Sequence, residues 1–218
     1  MRFVRENGLT LTLLALFALA IVGQALAGRQ SYNEERVLHH EEEVSLTSYL
    51  ETGDFISAVF ENWESEFLQM GSLVLLTVFL RQKGSPESKP LDASETEEPL
   101  QRRPHDTTAP WPVRQGGVVL WLYSHSLSTA LFLLFAASLT LHALGSAWKA
   151  SEEAAWHGSA AVGILQQLGK AEFWFESFQN WQSEFLSVAV LAVLGIYLRE
   201  RGSPESKSVD APHSATGR

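Results

Sequence analysis

The sequence predicts an all-α integral membrane protein with four transmembrane helices, arranged as two tandem duplicated helical hairpins that form a parallel internal repeat. Three observations predict this fold: apolar residues are concentrated in blocks, the two halves of the chain match at a fixed interval, and basic residues favour one end of each block. The mean hydropathy of −0.01 over 218 residues conceals this distribution, because apolar blocks alternate with charged segments. A single soluble domain of this length would mix apolar and charged residues more evenly.

The first and third apolar blocks are each long enough to cross a bilayer. No residue in the range 7–28 is charged, and a helix of this length reaches about 33 Å at about 1.5 Å per residue, enough for a hydrocarbon core of about 30 Å. The third block has no Asp, Glu, Lys or Arg in the range 115–148. We therefore predict transmembrane helices at about 8–28 and 118–144.

The second and fourth apolar blocks are shorter. They cover residues 67–80 and 185–198, which span about 21 Å as helix and would also suit a buried helix of a soluble protein. Each block follows an aromatic-rich run, and a helix that continues backwards through part of that run becomes long enough to span. We therefore predict transmembrane helices at about 58–81 and 176–199.

An internal repeat relates the two halves at an interval of 118 residues. Phe60–Leu68 reads FENWESEFL and matches FQNWQSEFL at Phe178–Leu186, and the motif GSPESK at Gly84–Lys89 recurs unchanged at Gly202–Lys207. Such self-similarity indicates a duplicated two-helix unit. It also weighs against a cleaved secretory signal at the amino terminus, because the counterpart of the first apolar block lies in the middle of the chain.

The repeat and the local composition divide the chain into four segments. Residues 1–83 are the first two-helix repeat and residues 114–201 are the second. Residues 84–113 are rich in Pro, Ser, Thr and acidic residues, which predicts a disordered cytoplasmic linker. Residues 202–218 predict a disordered carboxyl-terminal tail for the same reason.

The basic residues predict the orientation. Two helices per repeat return the chain to the side where it started, so both copies share one orientation. Only four of the 16 Lys and Arg residues fall between the paired helices, namely Arg29, Arg36, Lys149 and Lys170. The positive-inside rule then predicts a multi-pass protein of the cell (plasma) membrane with both termini cytoplasmic, and Trp63 and Trp181 as aromatic anchors at the outer interface.

Two carboxylates are the candidate functional residues. Asn62 and Glu66 share one helix face at a spacing of four, as do Asn180 and Glu184. A carboxylate at mid-membrane costs about 2.5–3.5 kcal/mol, and less near the interface, so a buried pair would need a proton, a hydrogen bond or a cation. The four residues are thus a candidate proton- or cation-binding site, and the alternative places them solvated in the headgroup layer beside a short helix.

No enzymatic activity, catalytic residue, cofactor or metal site is predicted. The absence of Cys excludes disulfides, thiolate metal sites and cysteine nucleophiles. The chain has no phosphate loop, His-Glu-x-x-His motif or nucleophile elbow. The net charge of −9 argues against nucleic acid as a partner.

The first functional hypothesis is a structural or interaction role in the membrane, with the lipid bilayer, further copies of the chain and other membrane proteins as candidate partners. Small residues that would allow close helix approach are Gly23, Ala27, Gly71 and Gly195. The alternative hypothesis is a small proton- or cation-conducting transporter or channel that uses the paired intramembrane carboxylates.

Several short motifs also resemble a known family. They are Arg5–Leu9 (RENGL), Tyr32–Glu35 (YNEE), the doubled GSPESK motif, and the Asn-Trp-x-Ser-Glu-Phe boxes at Asn62–Phe67 and Asn180–Phe185. Together they resemble a family of small bacterial membrane proteins that is known only as a domain of unknown function. The resemblance covers nearly the whole chain and implies a helical protein of the bacterial inner membrane. It implies no activity, ligand or catalytic residue.

Overall fold

The computed structural model describes residues 2–90 and 108–217, and these residues form helices and turns without any strand. Most of the predicted linker 84–113 lies outside the described residues. The helices are α1 (Arg2–Glu6), α2 (Gly8–Leu38), α3 (Leu46–Tyr49), α4 (Gly53–Phe79), α5 (Trp111–Gln115), α6 (Gly117–Ser124), α7 (Ser126–Trp156), α8 (Ile164–Leu168) and α9 (Ala171–Tyr197). The all-helical class predicted from the sequence is confirmed for the described residues. Two helices, α2 and α7, are long and apolar enough to cross a membrane.

The helix bounds differ from the predicted spans at several places: α4 and α9 begin earlier, at Gly53 and Ala171, and α7 continues to Trp156. Helix α2 continues past its predicted span to Leu38, and the span predicted at 118–144 is divided between α6 and α7 by an interruption at His125. There His125 Nδ1 lies 2.9 Å from the carbonyl oxygen of Trp121, and the Ser124 hydroxyl donates to the same oxygen at 2.8 Å. Side chains that bond to backbone carbonyls compete with the helical hydrogen bonds, which accounts for the break.

The chain divides into two compact units. Unit 1 comprises Met1–Glu61 and Leu139–Trp174, and unit 2 comprises Asn62–Ser138 and Phe175–Arg218. Unit 1 therefore contains the connection from α2 to α4 and the connection from α7 to α9. Unit 2 contains the connection from α4 to α7 and the carboxyl-terminal segment.

In unit 1 the beginning of α4 packs against the end of α7 with the two backbones almost in contact. A Cβ atom added at Gly53 would lie 2.6 Å from the carbonyl oxygen of Gly145, and one added at Gly145 would lie 2.9 Å from Cα of Ser57. Close-packed interiors do not accommodate contacts this short. Glycine is therefore required at both positions for the two helices to approach as they do.

In unit 1 a polar side chain hydrogen-bonds to the loop backbone in each of the two interhelical connections. The buried Asn33 amide donates to the carbonyl oxygen of Val44 at 3.1 Å and accepts from the backbone N–H of Val44 at 2.9 Å. The Ser151 hydroxyl accepts from the backbone N–H of Val162 at 2.9 Å and donates to the carbonyl oxygen of Ala147 at 2.7 Å. Asn33 thus satisfies both backbone groups of Val44, Ser151 satisfies the backbone N–H of Val162, and each side chain fixes a loop against its helix.

The small residues named from the sequence differ in what they contact. Gly23 has no atom within 4 Å of an added Cβ, so it mediates no close approach among the described residues. An added Cβ at Gly71 would make an ordinary contact of 3.4 Å with Leu131, whereas one at Gly195 would lie 3.1 Å from Pro86. Both contacts lie within unit 2.

In unit 2 the two GSPESK motifs form the same turn. Gly84 and Gly202 have φ of 84° and 86°, a left-handed conformation that favours glycine. In each motif the second serine, Ser88 or Ser206, accepts a hydrogen bond at 2.9 Å from the backbone N–H six residues earlier. The shared bonding follows from the identical sequence, and the same turn therefore follows each of the long helices α4 and α9.

The carboxyl-terminal segment, which the composition predicts to be disordered, is held against the first of these turns. The ammonium of Lys207, a residue only 4% exposed, donates to the carbonyl oxygens of Gly84 at 2.6 Å, His213 at 3.1 Å and Ala215 at 3.0 Å. Three acceptors satisfy all three protons of an ammonium group. Composition does not register this arrangement, because the segment is held by hydrogen bonds and buries little apolar surface.

Candidate functional site

The residues of the predicted carboxylate site all lie in unit 2. Asn62 and Glu66 are exposed, whereas Asn180 and Glu184 are partly buried. The carboxylates of Glu66 and Glu184 are close enough to interact electrostatically. Glu66 and Glu184 thus lie near enough for their charges to interact, and Glu66 lies at the surface.

A third carboxylate of unit 2 is more deeply buried than either. Glu64 is 0% exposed, and the indole N–H of Trp181 donates to its Oε1 at 3.3 Å. The Trp181 ring packs edge-on against Phe178 at 5.3 Å and Phe135 at 6.1 Å between centroids. Trp181 thus presents a polar atom to Glu64 and an apolar surface to aromatic neighbours.

The sequence alone does not single out Glu64, because its repeat counterpart is Gln182 and the two copies therefore do not share this carboxylate. The substitution is itself the available signal. A position that carries a carboxylate in only one of two matching copies is a candidate for an asymmetric, buried role. The prediction that Trp63 and Trp181 are interfacial anchors stays a prediction, and in unit 2 both rings are partly buried.

Unit 1 contains a polar cluster that the sequence did not predict, formed by residues of α2, α3, α4 and α7. We call it the tyrosine–carboxylate cluster; its members are Tyr32, Arg36, Tyr49, Asp54, Lys149 and Glu152. Arg36 Nη1 lies 3.0 Å from Glu152 Oε1, and the Tyr32 hydroxyl donates to the same oxygen. The Arg36 and Glu152 side chains are 16% and 29% exposed, so this charge-assisted pair is screened less than a surface pair.

The other half of the cluster has the same composition. The Tyr49 hydroxyl donates to Asp54 Oδ2 at 3.2 Å, and Lys149 Nζ lies 3.2 Å from Asp54 Oδ1. The Tyr32 and Tyr49 rings are in contact at 5.4 Å between centroids and join the two halves. Burial, with the Asp54 carboxylate as the second cause, raises the pKa of Tyr49 well above its usual range. Its phenol therefore remains a protonated donor at physiological pH.

The cluster balances its charges and holds helices together, but it contains no nucleophile paired with a base. It contains two cations, two carboxylates and two phenols, each carboxylate satisfied by a phenol and a cation, and at its edge Arg36 also pairs with the exposed Glu41 at 3.4 Å. The signal that could have found it is the acidic pair Glu34-Glu35, which recurs as Glu152-Glu153 at the repeat interval. Only the fold shows that, of these four carboxylates, Glu152 forms the ion pair with Arg36.

A shallow cavity of about 680 Å³ lies beside the end of α2 in unit 1. We call it the Arg29 cavity; its lining includes Leu26, Arg29, Gln30, Glu34, Val37 and Glu43. Arg29 Nε donates to the carbonyl oxygen of Val44 at 2.9 Å, which fixes the direction of the guanidinium. The cavity therefore combines a positioned cation, two carboxylates and an apolar wall.

Comparisons with known proteins give a family and no function. No curated protein matches the chain, and no solved structure matches it. One family model, described as Domain of unknown function (DUF6766), matches residues 1–218. The whole chain is covered by this match, so the chain belongs to the DUF6766 family.

Proposed function

We propose that the chain is an integral protein of the bacterial inner membrane, with four transmembrane helices that arose by duplication of one hairpin and with a structural or interaction role. The observation that carries the proposal is the exposure of large apolar side chains on all four long helices. Leu9 in α2 is 75% exposed, Phe79 in α4 74%, Leu133 in α7 65% and Leu186 in α9 60%. Soluble proteins rarely leave such extended apolar surfaces in water, whereas lipid tails cover them.

The helix bounds support the duplication. Helices α2 and α7 each contain 31 residues and begin at Gly8 and Ser126, and helices α4 and α9 each contain 27 residues and begin at Gly53 and Ala171. Both intervals equal the 118 residues that separate the matching sequence motifs. The two side chains that hydrogen-bond to the backbone of the interhelical loops, Asn33 and Ser151, are also 118 residues apart.

The tyrosine–carboxylate cluster supports a structural or interaction role. Its six side chains link four helices of unit 1 through hydrogen bonds and ion pairs. A charge-balanced network of this kind holds its side chains in fixed positions. Because the side chains already bond to one another, the network is better suited to holding helices together than to catalysing a reaction. On the proposed topology, with both termini in the cytoplasm, the cluster forms a rigid cap outside the bilayer.

Extraction tests the membrane location. We expect the full-length chain to remain in the membrane pellet after washing at alkaline pH and to enter solution only with detergent. A reporter that is active in the cytoplasm should be active when it is fused to the carboxyl terminus. A chain that stays in the supernatant after high-speed centrifugation without detergent would overturn the proposal, and a fusion active only outside the cell would overturn the orientation alone.

A second candidate function is transport of protons or cations through the paired carboxylates. The specific support is in unit 2, where Glu66 and Glu184 lie within electrostatic range and Glu64 is fully buried beside Trp181. An ionisable residue within a membrane helix is by default a candidate for ion movement, because its burial is costly.

Flux across reconstituted vesicles tests transport. If the chain transports, we expect proton or cation flux that falls to the level of empty vesicles in the variant Glu66→Gln plus Glu184→Gln. The control variant Glu51→Gln changes an exposed carboxylate of unit 1 and should leave flux unchanged. Wild-type flux no greater than that of empty vesicles would remove this candidate and leave the structural role.

A further inference from the structure

The Arg29 cavity has features of a ligand site that a purely structural role leaves unexplained. Arg36 and Lys149, two other cations of unit 1, are paired with carboxylates of the chain. Arg29 forms no ion pair with any residue that the structure describes, and its one hydrogen bond, from Nε to Val44, leaves the two terminal nitrogens of the guanidinium available. Those nitrogens form the flat, charged end of the side chain that recognises phosphate.

Two carboxylates line the same cavity without pairing with Arg29. Glu34 accepts a hydrogen bond at 3.2 Å from the Gln30 amide, and Glu43 is exposed. The cavity therefore presents a cation and two carboxylates that form no ion pair with it among the described residues. A ligand that carries both a negative and a positive group satisfies this arrangement better than a simple anion does.

The remaining wall of the cavity is apolar and is continuous with the exposed face of α2. Leu26 and Val37 line the cavity, and Leu19 and Val22 are exposed on the same helix one to two turns before it. A volume of about 680 Å³ is within the range of about 300–1,000 Å³ that small-molecule sites occupy. Arg29 also directly follows the charge-free segment 7–28, which on the proposed topology places it at the level of lipid headgroups.

We propose that the Arg29 cavity binds a zwitterionic aminophospholipid of the outer leaflet. The lipid phosphate accepts hydrogen bonds from the Arg29 guanidinium, its ammonium faces Glu34 and Glu43, and an acyl chain lies along Leu26 and the exposed face of α2. The two carboxylates repel a purely anionic headgroup, so charge complementarity selects a headgroup that carries an amine. This inference rests on the membrane location proposed above.

Native mass spectrometry of the full-length chain in detergent tests the site. The probes are phosphatidylethanolamine and phosphatidylglycerol with the same acyl chains, each titrated into delipidated protein. We expect phosphatidylethanolamine to bind more tightly, and Arg29→Gln to weaken it about tenfold through loss of a charge-assisted contact. Glu34→Gln plus Glu43→Gln, at two exposed side chains that leave the fold intact, should abolish the preference for phosphatidylethanolamine. The matched control is Lys170→Gln, which removes a cation of unit 1 that does not line the cavity. This variant should bind phosphatidylethanolamine as wild type does.

Each other outcome counts against the site. Equal lipid binding by wild type and both cavity variants would overturn the site, even if the chain is membrane-embedded, whereas a chain that stays in solution without detergent would overturn the proposed location instead. Soluble O-phosphorylethanolamine is included as a competitor and should not displace the lipid. Displacement by this headgroup alone would assign the cavity to a soluble phosphoamine and overturn the lipid.

Discussion

Replacement of Gly145 by alanine should strongly destabilise the protein. The added Cβ would meet the backbone of Ser57 in α4, at 2.9 Å from Cα, and backbone atoms cannot rotate aside as a side chain does. Overpacking of a close-packed interior costs about 1–3 kcal/mol, and an obstruction by backbone belongs at the upper end of that range. We expect the thermal unfolding midpoint in detergent to fall, and the yield of folded protein to fall with it.

The matched control is Gly23→Ala in the middle of α2. No atom lies within 4 Å of the added Cβ, so the change should be neutral or should stabilise the helix by up to about 1 kcal/mol. Gly53→Ala should behave like Gly145→Ala. Both changes push α4 and α7 apart at the same contact. The double variant should therefore lose less stability than the sum of the losses in the two single variants. An unfolding midpoint of Gly145→Ala equal to that of Gly23→Ala would contradict the close approach of α4 and α7 in unit 1.

Loss of the Arg36–Glu152 pair should have the next largest effect. In Glu152→Gln the guanidinium of Arg36 loses its closer carboxylate, at 3.0 Å, and keeps the more exposed Glu41 at 3.4 Å, while the Tyr32 hydroxyl loses a charged acceptor. Hydrogen bonds to charged groups contribute about 1.5–3 kcal/mol each, and partial exposure places this pair toward the lower figure. We expect a decrease of about 2 kcal/mol in the free energy of unfolding.

A double-mutant cycle separates this pair from general destabilisation. Arg36→Gln together with Glu152→Gln should cost less than the two single variants combined, with a coupling of at least about 0.5 kcal/mol. Glu51→Gln, at an exposed carboxylate of unit 1, should stay within about 0.5 kcal/mol of wild type. Additive effects of the two cluster variants would show that the ion pair does not stabilise unit 1.

The helices were predictable from the sequence because apolar runs and their turn signals are local. The identical turns at Gly84 and Gly202, which follow α4 and α9, likewise depend on residues close to them in the chain. The break at His125 was not predicted, because it depends on side chains that take backbone hydrogen bonds within a run that is otherwise continuously apolar. Hydropathy alone treats residues 118–144 as one span.

The packing contacts were harder to predict, because each depends on a partner distant in the chain. Gly53 and Gly145 are needed only because their helices meet there, and their repeat counterparts are Ala171 and Ala27, so the repeat itself conceals the requirement. Glu64 differs from Glu66 in burial by its position relative to α9, which two residues of sequence spacing do not reveal. The same holds for Lys207, whose three acceptors include one 123 residues away.

Single-cysteine labelling tests the central claim, four crossings of the membrane, most directly. The chain has no Cys, so each introduced thiol reports one position without further changes. With a membrane-impermeant maleimide on intact cells, we expect Ser45→Cys and Ser159→Cys to be labelled, and Lys83→Cys and Ser208→Cys to be labelled only after lysis. If only α2 and α7 crossed the bilayer, Lys83→Cys would be labelled from outside and Ser159→Cys would be protected, and that pattern would contradict the four-helix topology.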